Sequence, residues 1–143
     1  MASLAGTDVR PPAFAGTWYP GDPGAIEGLD QLATALADLC DESTLLVAST
    51  DLSHRYDYGE VLETDREFVD LVATFDVEAL AQALRARMTL SCGTMALLAV
   101  LKTARLRGAR GARVLAYATS ADADQTRQPG RLTVGYLAAA IYS

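Results

Sequence analysis

An aspartate and a histidine stand three positions apart in Asp51-Leu-Ser-His54, with Asp57 close behind. A cysteine and a glycine, Cys92-Gly93, open a helical pattern further on. A neutral imidazole can ligate a metal, act as a general base oriented by a carboxylate, or be a structural group satisfied by the backbone. These residues alone leave the three roles open. Tyr56 and Tyr58 would wall a pocket beside them. The partial positive charge of a helix N-terminus lowers a thiol's pKa, making Cys92 a candidate nucleophile or ligand. The competing reading is a small buried hydrophobe. Cys40 has no such setting and reads as core. His54 is the only histidine, so one copy of the chain cannot build a site that needs two.

These groups must be held by regular elements. Asp22 and Pro23 suit the N-cap and first turn of a helix running to Cys40. Its face would be Ile26, Leu29, Leu32, Leu36 and Leu39, at helical spacing. Thr44–Ser49 is a short apolar run and predicts a strand buried on both faces. That strand would deliver Asp51 and His54 at its carboxyl end, where open α/β sheets carry their chemistry. Apolar periodicity predicts helices over 59–75 and, after Asp76 as N-cap, over a stretch burying Val77, Leu80, Ala81 and Leu84. Arg85 and Arg87 suit the last turn of that helix. A loop over 88–92 leads to a helix over 94–107 with Gly108 as its C-cap. Strands follow over 113–120 and 132–142, joined by a polar linker with the turn signal Pro129-Gly130. The expectation is an α/β domain, a mixed sheet flanked by helices.

Composition removes whole classes of function. At 143 residues the chain is one domain by length, with half its residues hydrophobic and 21% charged, a globular balance. A net charge of −6 argues against a phosphate-backbone binder, so no nucleic acid partner is expected. The run Arg105–Arg113 reads as a solvated helix end and turn. No apolar stretch is long enough for a membrane helix, and no basic start followed by an apolar run suggests secretion. With two cysteines a disulfide framework is not expected, and a reducing cytoplasmic setting fits. Neither glycine-rich phosphate loop, nor paired-cysteine or paired-histidine metal motif, occurs.

Longer stretches point further. Val9-Arg-Pro-Pro-Ala-Phe14-Ala-Gly-Thr-Trp18-Tyr19-Pro, Ser49-Thr-Asp51-Leu-Ser-His54, Asp65-Arg-Glu-Phe-Val, Cys92-Gly93, Leu115-Ala-Tyr117-Ala-Thr-Ser120 and Val134-Gly135-Tyr136-Leu occur in this order over nearly the whole chain. Together they resemble the Memo family, whose bacterial and archaeal members are named AmmeMemoRadiSam system protein B. The resemblance implies a fold similar to class III extradiol dioxygenases and a metal-competent pocket. In that pocket His54, Asp51 and Cys92 match family positions, and copper or iron would be the metal. It also implies a surface for tyrosine-containing peptides, to which Trp18 matches, with Phe14 and Tyr19 beside it. Family members are longer and carry histidines in motifs of the PHAGY and GPSHH kinds, which this chain lacks. The chain therefore reads as one shortened Memo-like domain over 1–143, with an apparent internal deletion near 39–44.

Three functions follow as expectations. The first is a non-catalytic binding or assembly protein with an incomplete metal pocket, taking a protein or peptide partner or a second copy of itself. The second is a copper- or iron-dependent dioxygenase-like oxidoreductase using His54 and Cys92 as ligands, with Asp51 ligating or orienting His54. The third is a metal-free hydrolase or transferase with Cys92 as nucleophile and His54 as base. The cofactor is accordingly copper or iron, or none.

Overall fold

The computed structural model describes residues 28–86, 92–125 and 127–143. The aromatic arm with Phe14, Trp18 and Tyr19, the expected N-cap Asp22 with Pro23 and Ile26, and positions 87–91 lie outside the described residues.

Local chemistry sets most element ends. Helix α1 covers Leu29–Leu39. Helix α2 covers Tyr58–Ala73, and the Asp57 carboxylate accepts the Glu60 N–H at 3.0 Å to cap it. Helix α3 covers Val77–Ala86, capped by Asp76, which accepts the Ala79 N–H at 2.9 Å. Helix α4 covers Thr94–Leu106. It ends in a Schellman turn: Gly108 takes φ +88°, its N–H donates to Arg105 O, and the Ala109 N–H donates to Ala104 O. The two-residue strand β1 is His54–Arg55, and β2 and β3 are Gly111–Thr119 and Thr133–Tyr142. Between them lies a one-turn helix α5, Ser120–Ala123, closed by a capping box between Thr119 and Asp122.

The three strands lie in the order β1-β3-β2. Residue His54 stands opposite Val134, and Gly111 opposite Tyr142. The core lies where α2, α3 and α4 meet the sheet: Phe68, Val72, Val77, Leu80, Leu84 and Leu98 are buried there. Helix α1 adds Leu29 and Ala33. It is tied to α4 through Thr103, whose hydroxyl lies 2.7 Å from Ala99 O and 3.3 Å from Ala33 O.

The α/β architecture expected from the sequence is what the structure shows, with three corrections of detail. The described strand pairs are all antiparallel, not mixed, because β2 and β3 return on each other through α5 and the turn at Gly130. The expected strand Thr44–Ser49 does not form: the run pairs with no neighbour among the described residues, leaving Leu45 84% and Val47 75% exposed. A strand exists only through its ladder, so apolar content alone does not make one. The expected apolar face of α1 is also only half used. Leu32 and Leu39 are exposed because α4 meets the Leu29–Ala33 side.

Candidate functional site

The chain between the run at 44–50 and β1 is pinned from two sides. On one side the Leu52 N–H donates to Gly135 O at 3.0 Å, and the Gly135 N–H donates to Ser53 O at 3.1 Å. Two residues thus oppose one, the arrangement of a β-bulge, and both Leu52 and Ser53 are buried. On the other side the segment meets the start of α4. Thr50 Oγ1 accepts the Gly93 N–H at 2.6 Å, and the Cys92 N–H donates to Asp51 O at 3.3 Å. The Asp51 N–H donates to Cys92 Sγ at 3.3 Å. A Cβ at Gly93 would come within 2.7 Å of the Thr50 Cβ, so only glycine allows this approach.

The structure therefore brings Asp51, His54 and Cys92 into one neighbourhood. Asp51 Oδ2 lies 3.5 Å from His54 Nε2, with the two side chains 46% and 47% exposed. Cys92 is exposed and meets the backbone of Asp51, not its carboxylate. Among the described residues no three His, Cys, Asp or Glu side chains gather as a set able to hold a metal ion. The Asp51 carboxylate faces the His54 imidazole, and the Cys92 thiol faces the Asp51 N–H. The arrangement presents a half-exposed imidazole beside a carboxylate and an accessible sulfur at a helix start.

The tyrosines near His54 do not form the expected wall. Tyr56 is exposed. Tyr58 turns away and its hydroxyl donates to Asp122 Oδ1 at 3.0 Å, with the Arg127 guanidinium 4.7 Å from its ring centre. Desolvation and then the Asp122 hydrogen bond raise the Tyr58 pKa. Hydrogen bonds from Thr119 first, then Arg127, hold the Asp122 carboxyl down at about 2.

One positioning residue escaped the sequence reading. Asp65 is buried in α2, where Oδ1 accepts the Ser53 N–H at 3.0 Å and Oδ2 accepts the Tyr117 hydroxyl at 2.8 Å. It ties α2, β2 and the residue before His54 into one unit. Its signal was present: Asp65 lies on the stripe Val61, Phe68 and Val72, and a carboxylate on a buried helical face must have partners.

Comparison with known proteins identifies this framework. The family model described as Memo-like protein matches residues 27–140. The chain belongs to the Memo-like family. Two curated relatives of this Memo-like chain are both described as MEMO1 family proteins. One, from Methanosarcina mazei, is 30% identical over 111 residues, covering 76% of this chain and 40% of the relative. The other, from Methanosarcina acetivorans, is 30% identical over 95 residues, covering 64% of this chain and 36% of the relative. The Memo-like chain thus matches well under half the length of these relatives. No helix among its described residues is long and apolar enough to cross a membrane.

Proposed function

We propose that this Memo-like chain, of the AmmeMemoRadiSam system protein B type, is a non-catalytic binding or assembly protein of the cytoplasm that keeps only part of a metal pocket. The disposition of donors carries the reading: His54 faces Asp51, and the Cys92 sulfur accepts the Asp51 N–H, so the three do not converge on one point. The partner is a protein or peptide taken up at the aromatic positions Phe14, Trp18 and Tyr19, or a second copy of the chain.

The test has two arms. Protein purified anaerobically is analysed for copper and iron per chain, and partners are captured with the parent protein, His54→Ala and Trp18→Ala. The expected result is metal far below one per chain, with binding kept in His54→Ala and lost in Trp18→Ala. Copper or iron near one per chain, lost in His54→Ala, overturns it. That outcome favours the second reading, a copper- or iron-dependent oxidoreductase using Asp51, His54 and Cys92. That reading is supported by Asp51, which meets the His54 imidazole through its carboxylate and the Cys92 sulfur through its backbone N–H.

A further inference from the structure

The edge of β3 facing β1 is paired only as far as Gly135. Both backbone groups of Gly135 point to that edge, where they bond Leu52 and Ser53. The strand period of two puts the N–H and C=O of Leu137, Ala139 and Ile141 on the same edge. Among the described residues no strand pairs with them there. A cleft of about 840 Å³ opens in front of this edge, lined by β3 on one side and by residues 44–52 on the other, with Leu97, Val100 and Ala104 of α4 also facing it.

The far wall is itself strand-like. Leu45, Val47 and Ser49 are exposed while Leu46, Ala48 and Thr50 are half-buried, an alternation of period two without a ladder. The chain leaves β3 where its bonds to α4 begin, at Asp51 and Thr50. Counting back from the bulge sets Thr50 opposite Leu137, Ala48 opposite Ala139 and Leu46 opposite Ile141. In that register the half-buried residues of the run meet Leu137 and Ile141, the half-buried residues of β3 that pack against the core. Faces and register agree, and the contacts to α4 tether the Thr50–Asp51 end of the run at the start of that helix.

We propose that Thr44–Thr50 is a strap with two positions. In one it is tethered to the start of α4 through Thr50, Asp51, Cys92 and Gly93. In the other it is zipped onto the free edge of β3 as a strand continuing β1. Closing the strap fills the cleft and satisfies the edge groups of Leu137, Ala139 and Ile141. Releasing the tether drives closure, so whatever occupies the Cys92 sulfur or displaces Thr50 from Gly93 also reshapes the sheet edge.

Gly93→Ala tests this, because its Cβ would come within 2.7 Å of the Thr50 Cβ and 2.9 Å of Ser49 O. Amide hydrogen exchange is read residue by residue in the parent and the variant. Closure predicts that the Leu137, Ala139 and Ile141 amides exchange at least ~10-fold more slowly in Gly93→Ala while Gly135 is unchanged. Equal or faster exchange at the three amides overturns the proposal. Should Gly93→Ala fail to fold, a covalent trap decides. Val47→Cys with Ala140→Cys, in a Cys40→Ser and Cys92→Ala background, sets two thiols at facing, outward positions of the closed register. A disulfide requires Cα atoms within ~7 Å. An intramolecular disulfide under mild oxidation supports the strap. Persistent free thiols, or a disulfide joining two copies, overturn it.

Discussion

Gly135 and Asp65 approach so closely that a Cβ at position 135 would collide with Asp65 Oδ2. The pair fixes how α2 sits on β3, since Asp65 is buried and already bonded to Ser53 and Tyr117. Neither the carboxylate nor the strand can yield without breaking those bonds. Gly135→Ala should therefore destabilise the fold by ~2–3 kcal/mol, as overpacking of a filled interior does. The check is a lower urea midpoint with an unchanged slope.

Tyr117→Phe removes the hydroxyl that donates to Asp65 Oδ2 and should cost ~1–2 kcal/mol near neutral pH, since a buried acceptor loses a partner. The pH dependence follows from the same contact. Burial first, and then the hydrogen bond to Asp65, raise the Tyr117 pKa above the ordinary 10.0. A group whose folded pKa is raised contributes fully below its unfolded value. That contribution drains away as pH climbs from 10.0 toward the folded value. The parent protein should lose stability in this alkaline window, and Tyr117→Phe should lose less. Urea midpoints taken at about pH 9 and about pH 11 compare them.

Asp122 sets the acid side. Its carboxyl is held at about 2 by Thr119 and then Arg127, below the ordinary 3.8. A depressed folded pKa means stability present above 3.8 and lost as pH falls toward about 2. Asp122→Asn should flatten the stability profile across that interval. An unchanged acid slope in thermal melts would remove Asp122 as its source.

Asp76→Ala should cost about 1 kcal/mol through loss of the bond to the Ala79 N–H, the usual worth of an N-cap. The effect should appear as faster amide exchange in the first turn of α3, with α4 unaffected.

The Asp51–His54 pair predicts a small number. Both side chains are about half exposed, and pairs of that kind are worth less than ~1 kcal/mol. His54→Ala should leave the urea midpoint within that range, so changes in partner or metal binding by this variant can be read without a folding correction.

Much of the helical framework was legible because its signals are local. Asp76, the stripe Val77, Leu80, Ala81 and Leu84, and Gly108 sit where the structure uses them, since caps and helical faces depend on residues within a turn or two. The strands expected over 113–120 and 132–142 form as β2 and β3, and they do so because each has the other to pair with. The run Thr44–Ser49 misled because apolar content does not supply a neighbour to pair with. The short α5 was hidden in a polar linker, and its capping box shows only once Thr119 and Asp122 are read as a pair.

At the candidate site the division is similar. The sequence by itself determined which groups are available: one imidazole, a carboxylate three positions before it, and a thiol ahead of a helix. It also carried enough ordered motifs to point to the Memo family, which the family match over residues 27–140 shows. Only the tertiary structure decided how those groups meet. Cys92 lies 41 positions from Asp51 and engages its backbone N–H, leaving the carboxylate to His54. Asp65 acquires its role by packing against Tyr117, 52 positions away, across the core. Spacing along a chain specifies contacts within a helix or a turn, whereas contacts between elements depend on which faces bury each other, and burial is settled by the whole fold.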